Sequence, residues 1–299
     1  MQYVITLTAN PNLAPLTDQH VILTDTSLIS LGAHVCSKRW LSMDSAIDIV
    51  FEQISMETAR KAVSIALENF PIDVNIQEID HRRKRILVAD MDSTIIMNES
   101  LDDLADFIGL KTKVESITQK AMRGEIDFEI ALNERVKLFE GQSETLIDRF
   151  LIEKINVTPG AKCLIKTMKA HKAKTALISG GFSYITKYIA EKLGFDIHYG
   201  NQLIIKDGKL TGKVSAPILN ADSKEEILVN FAKRNNIPLK QAMAVGDGAN
   251  DIKMLQSAGI GVAFRAKPMV KESTPHHVQY GDLKSLLFIQ GYHEDELVE

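Results

Sequence analysis

Stretches at 85–89, 174–178 and 242–245 are predominantly apolar and do not alternate. That pattern predicts short strands covered on both faces, as in a parallel sheet. Each run ends in a polar cluster: Asp90 and Asp92, then Ser179 and Gly180, then Asp247, Asn250 and Asp251. Helical patterns occupy 161–170, 183–193 and 223–235, the last with Ser223 and Glu226 spaced as a capping box. Asp207-Gly208, between 203–205 and 209–214, reads as a hairpin turn. Strands alternating with helices predict an α/β fold.

Two segments depart from that alternation. From 98 to 154 the pattern is helical, with apolar steps of three and four at Leu101/Leu104/Ala105/Ile108 and Phe128/Ala131/Leu132, and no proline until Pro159. Inserted directly after the first apolar strand, it would lie over that strand's end as a lid. Residues 1 to about 80 form a separate unit. Strands are predicted at 3–8, 35–40, 46–52 and 74–79, with a helix at 56–69 and an ambiguous, partly helical stretch at 13–31. The order βαββαβ is that of a ferredoxin-like unit. The basic cluster 81–85 reads as a solvated linker, His276-His277 as a surface loop, and the acidic C-terminus as frayed.

Composition narrows the class. The chain has 299 residues, 45% hydrophobic and 25% charged, with a net charge of −4. No basic field invites nucleic acid, and no apolar run reaches the ~18–20 residues of a membrane span. The start, Met1-Gln2-Tyr3-Val4-Ile5-Thr6, lacks the pattern of a signal peptide. Two separated thiols, Cys36 and Cys163, suit a reducing cytoplasm and exclude a disulfide framework.

Three polar clusters at the carboxyl ends of buried strands would converge in one crevice. Buried carboxylates are costly unless positive charge meets them, and a hard divalent cation with oxygen ligands meets that need. Other readings of the acidic motifs fail. An EF-hand loop from Asp90 would need Gly and Glu where Ile95 and Leu101 stand. Gly246-Asp247-Gly248 places Asp251 where a dinucleotide motif needs its last glycine, and no P-loop motif exists. A metal-binding D-x-D of a sugar-nucleotide transferase fits Asp90 and Asp92 but leaves the other clusters unexplained.

Asp90-x-Asp92-x-Thr94, Ser179, Lys224 and Gly246-Asp247-x-x-x-Asp251 resemble, in order, the four motifs of the haloacid dehalogenase superfamily. The resemblance covers about 84–285 and is closest to the branch acting on O-phospho-L-serine. It implies a Rossmann-like parallel sheet with a helical C1 cap. The N-terminal unit more weakly resembles an ACT-like domain, with Asn10-Pro11-Asn12 in place of the usual glycine turn. The implied division is 1–82 as a regulatory or dimerising α+β unit, 83–97 with 155–299 as the core, and 98–154 as the cap.

By this resemblance Asp90 is the nucleophile, forming an aspartyl-phosphate, and Asp92 the general acid and base. Asp90, Asp247 and the Asp92 backbone carbonyl bind Mg²⁺, with Asp251 holding the metal's waters. Lys224, Ser179 and the Gly180 amide stabilise the phosphoryl oxygens, and Asn250 joins the substrate site. In the cap, Glu99 meets the substrate ammonium and Arg135 its carboxylate, while Met122 and Phe128 close over the phosphate. Taken without the resemblance, Lys224 reads as an exposed helix lysine, Phe128 as lid core and Arg135 as one half of a surface ion pair with a nearby Glu. The expected partners are the small substrate and a second copy in a homodimer, with neither nucleic acid nor membrane. Two alternatives stay open: a phosphotransferase passing the group to an alcohol such as homoserine, and a non-catalytic amino-acid sensor.

Overall fold

The computed structural model describes residues 1–123 and 125–299. The side chain of Met122 is not among them, so the contact expected of it lies outside the described residues.

The chain begins with β1 (Tyr3–Ala9), α1 (Asp18–Ile29), β2 (His34–Ser42), β3 (Ala46–Glu52), α2 (Met56–Ala66) and β4 (Ile72–Glu78). The four strands form an antiparallel sheet in the order β2-β3-β1-β4. Ile5, Leu7, Ile47 and Ile49 on the strands pack against Val21, Leu28, Ala59 and Val63 on the two helices. This is the ferredoxin-like arrangement expected, and the ambiguous 13–31 stretch resolves as the single helix α1.

Next come β5 (Ile86–Asp90) and four helices, α3 (Ser100–Phe107), α4 (Lys111–Met122), α5 (Phe128–Lys137) and α6 (Thr145–Glu153). They are followed by α7 (Ala161–Ala170), β6 (Lys174–Phe182), α8 (Ser183–Leu193), β7 (Ile197–Asn201), the hairpin β8 (Leu203–Lys206) and β9 (Lys209–Val214), and α9 (Ala221–Arg234). The chain ends with β10 (Ala242–Gly246), α10 (Ile252–Ser257), β11 (Ile260–Phe264), α11 (Pro268–Ser273), β12 (His276–Val278) and α12 (Ser285–Ile289). Six strands form a parallel sheet, ordered β12-β11-β10-β5-β6-β7.

The lack of alternation in β5 has a direct cause. Leu87 and Ala89 face one core with Leu164, Met168 and Ile185, while Ile86 and Val88 face another with Leu228, Phe231 and Met254. Each fully buried Leu, Ile or Val side chain among these contributes about 1.5–3 kcal/mol. The helices α3 to α6 stand over the carboxyl end of β5, and the β8–β9 hairpin meets them through Gly141 N–H donating to Leu210 C=O at 2.9 Å.

Four expectations need correction. Helix α9 is capped by Asn220, whose side chain and that of Ser223 exchange hydrogen bonds with each other's backbone N–H; Ser223 is its third residue, not its cap. The 81–85 cluster is not solvated throughout. Arg82 pairs with Asp48 in an almost dry site, and the Lys84 ammonium donates to His81 C=O and Lys240 C=O, both at 3.0 Å. His276 and His277 belong to β12, with His276 buried. The C-terminal tail is docked, since Tyr292 is buried and Val298 N–H donates to Thr167 Oγ1 at 2.8 Å.

Candidate active site

The strand order reverses at β5: β6 lies on one side of it and β10 on the other. In open α/β sheets this switch point opens a crevice beyond the strands' carboxyl ends. Asp90 is the last residue of β5 and is buried. The chain then turns sharply, with Asp92 extended (φ −69°, ψ 137°) and Ser93 left-handed (φ 52°, ψ 5°). That reversal sends the two carboxylates to different partners.

Asp90 joins the acidic cluster from the β10 end. Carboxylate oxygens of Asp90, Asp247 and Asp251 lie within 4.8 Å of one another. The Lys224 ammonium, brought in by the first turns of α9, donates to Asp90 Oδ1 and, at 2.6 Å, to Asp251 Oδ1. Gly248 N–H donates to the other Asp251 oxygen at 3.0 Å, so both oxygens of Asp251 are engaged. Gly246 must lack a side chain, because a Cβ there would fall 2.7 Å from Asp251 Cβ.

Burial first, and neighbouring charge after it, set the pKa pattern. Burial pushes the Asp90 carboxyl well above its usual range, Asp251 pushes it further, and Lys224 opposes both. Asp247 is pushed up to about 6, by burial first and Asp251 next. Burial works against the Lys224 ammonium, but Asp251 and Asp90 outweigh it and raise its pKa. Ionised, the three carboxylates and one ammonium leave two net negative charges in a buried cluster. An all-oxygen donor set with that excess fits a hard divalent cation. Asp90 and Asp247 are the better candidates to ligate it, since Lys224 and Gly248 already occupy Asp251.

Asp92 is held apart from this cluster. Ser100 N–H donates to its Oδ1 at 2.7 Å, and Ser179 Oγ–H donates to its Oδ2 at 2.6 Å. Ser179 is fixed in turn by Gly181 N–H at 2.8 Å. A carboxylate beside Asp90, outside the acidic cluster and oriented by two donors, could serve in proton transfer.

The cap borders the crevice. Asp90, Asp92, Glu99, Phe128, Arg135, Gly180, Asp247 and Asn250 all line one cavity of about 200 Å³. Ser179, Lys224 and Asp251 do not line it, but each hydrogen-bonds a residue that does: Asp92, Asp90 and Gly248 respectively. The Phe128 ring lies over Gly180, where a Cβ would come 3.3 Å from Cζ. Glu99 accepts from Ser93 Oγ–H at 2.7 Å, and its pKa is pushed up to about 7, by burial and then by Asp92 and Asp247 against the Ser93 bond. Arg135 lines the cavity and donates through Nε to Ala131 C=O at 3.1 Å, which leaves its outer guanidinium nitrogens for other partners. Its ion-pair partner is Asp102, 3.9 Å away, and Glu99 is also near enough to act on its charge.

Ser100, Asp102 and Lys267 also line the cavity, though no motif in the sequence marks them as site residues, and so does Leu132 of the cap's apolar face. Ser100 carried a signal in hindsight. It opens a helix after a loop that holds an acidic side chain, so its N–H is one of the donors such an end leaves unpaired.

Residues 84–259 match the haloacid dehalogenase-like hydrolase family. The chain belongs to that family. Its sequence is 40% identical over 206 residues to a phosphoserine phosphatase of Methanocaldococcus jannaschii, covering 69% of this chain and 97% of the relative. Identity to a phosphoserine phosphatase of Streptomyces coelicolor is 37% over 255 residues, covering 85% of this chain and 62% of the relative, so the chain spans under two thirds of that protein. A HAD-family hydrolase of Salmonella enterica serovar Typhi superposes with a TM-score of 0.85 at 30% identity, covering 99% of each chain. The matched family span opens at Lys84 and contains the whole acidic cluster together with the cap. No helix among the described residues is long and apolar enough to cross a membrane.

Proposed function

We propose that this haloacid dehalogenase-like hydrolase is a Mg²⁺-dependent phosphatase that hydrolyses O-phospho-L-serine to L-serine and phosphate, the last step of a route to serine. The observation that carries this reading is the pairing, in one small cavity, of a buried nucleophile cluster with Glu99 and Arg135 on the cap. A phosphorylated α-amino acid bears an ester, an ammonium and a carboxylate, and each of these finds its counterpart there. The 40% identical relative bears the phosphoserine phosphatase name.

Asp90 attacks phosphorus, the bond to the serine oxygen breaks, and Asp92 delivers a proton to that oxygen. Asp92 then takes a proton from the water that attacks phospho-Asp90, which returns the free carboxylate and releases phosphate. Lys224 balances charge beside Asp90, while the Gly180 amide, and Ser179 once its hydroxyl turns from Asp92, serve the phosphoryl oxygens. Bound Mg²⁺ would supply the remaining positive charge, held by Asp90, Asp247 and the Asp92 carbonyl, with Asp251 behind. Glu99 takes the substrate ammonium and Arg135 its carboxylate, for which a planar fork is suited. Phe128 and Asn250 border the bound substrate, and the ring keeps bulk water out.

We assign the chemistry to 83–97 and 155–299 and substrate selection to the cap at 98–154, with 1–82 contributing no group to the cavity. The free thiols Cys36 and Cys163 suit a reducing cytoplasm. Phosphate release from a panel of phosphorylated amino acids and simple phosphate esters, with and without Mg²⁺, tests the reading. Mg²⁺-dependent release strongly favouring phosphoserine is expected. Equal rates across the panel, or activity indifferent to Mg²⁺ and to chelation, would refute it.

A further inference from the structure

The turn that carries Ser179 is a break in the sheet. Strand β6 pairs with β7 from Ala176↔Ile197 to Ile178↔Tyr199, loses register, and resumes at Phe182↔Asn201. Residues 179 to 181 bulge out of the ladder, and a bulge leaves backbone polar groups without ladder partners. Buried polar groups must be paired somewhere. The Asn201 side chain, 1% exposed, fills the gap: its amide donates to Gly180 C=O at 2.7 Å. The same peptide unit's far side, Gly181 N–H, donates to Ser179 Oγ, which donates to Asp92.

The other end of Asn201 reaches elsewhere. Its Oδ1 accepts from Leu219 N–H at 2.8 Å. Leu219 precedes Asn220, the cap of α9, and α9 carries Lys224. One buried amide thus ties the Ser179 turn to the start of the Lys224 helix. Gly200 makes the approach possible, since a Cβ there would sit 2.8 Å from Ser183 N.

Resting on the reaction proposed above, we infer that Asn201 is a positioning residue for phosphoryl transfer, fixing the 180–181 peptide so that Ser179 and the Gly180 amide are aimed before substrate arrives. It touches no reacting atom. Its effect passes through the Ser179 turn and not through the cap.

Asn201→Asp keeps the acceptor for Leu219 N–H and removes the donor to Gly180 C=O. Turnover and affinity for orthovanadate, a phosphoryl-transfer mimic, are expected to fall together by about 10- to 100-fold. Binding of L-serine, measured by calorimetry, stays near wild type because the cap residues are untouched, while the melting temperature falls because the buried Gly180 C=O loses its donor. Asn201→Ala, which introduces no charge, shows the same split. In a Ser179→Ala background either substitution adds little, as expected of residues on one path.

Unchanged turnover and vanadate affinity in a folded variant overturn the inference. Equal losses of vanadate and serine binding, or loss of the fold in both variants, overturn it as well, since Asn201 would then be a general structural residue. A wild-type protein that binds vanadate but leaves phosphoserine intact would instead sink the assigned substrate, and the vanadate comparison would still judge Asn201.

Discussion

Arg135 gives up most of its hydration to line the cavity. Burial lowers its pKa, while Asp102 and then Glu99 pull it back up. A guanidinium so placed has donors to spare for an incoming carboxylate, and charged hydrogen bonds of this kind contribute about 1.5–3 kcal/mol each. Arg135→Ala is therefore expected to lower kcat/KM for phosphoserine by about 10- to 100-fold, and to spare a phosphate ester that lacks the carboxylate. Comparing phosphoserine with phosphoethanolamine checks this; equal losses on both would make Arg135 structural. Little of Arg135 could be read from its spacing alone, because a cap arginine and a surface arginine share the same helical pattern. Lys224 is the sharper case. Its sequence context is an ordinary amphipathic helix, yet it is 2% exposed, because Asp90 and Asp251 arrive from positions 134 and 27 residues away. Ion pairing across such separations leaves no local trace in a sequence.

At the scale of elements, the strands that build the site were legible because each is apolar on both faces and ends in polar residues. The far edge of the sheet was not. Strand β12 has three residues, too few for any periodicity, and its paired histidines suggest a polar loop. The sheet nevertheless buries His276, leaving its Nδ1 without a hydrogen-bond partner among the described residues. Burial pushes its pKa down to about 3, with Arg60, His277 and Lys84 adding to the effect. The unfolded chain regains a value near 6.5, so it binds the proton that the folded chain refuses. This contribution is whole above about pH 6.5 and is lost progressively as pH falls toward 3. One such group costs about 2 kcal/mol of stability on going from pH 7.5 to 5. Urea unfolding at the two pH values should show that difference shrinking by about this amount in His276→Leu relative to wild type. An unchanged difference would mean that His276 is protonated in the folded protein or never deeply buried.

Across the whole molecule, the N-terminal sheet is fastened to the core by polar groups buried between them. Arg82 donates to both oxygens of Asp48 at 2.6 and 3.0 Å, and also to Ile289 C=O. Asp73 accepts from the N–H groups of Gln279, Tyr280 and Gly281. The basic run at 81–85 looked like a linker because its partners lie in other elements. Removing one member of a buried pair strands the other, at a cost of about 3–5 kcal/mol. Arg82→Ala is expected to lose that much unfolding free energy while kcat per folded molecule stays unchanged, since none of these groups lines the cavity. A loss under 1 kcal/mol would show the pair to be solvated.

The proposed reaction requires that Asp90 itself carry the phosphoryl group. Acid-quenching the protein during turnover of phosphate-labelled phosphoserine, then mapping the label, tests it most directly. An acid-trapped label is expected on the peptide containing Asp90, appearing faster than free phosphate and absent in a folded Asp90→Asn variant. Turnover with no label on any residue, or a label that persists when Asp90 is replaced, would contradict it.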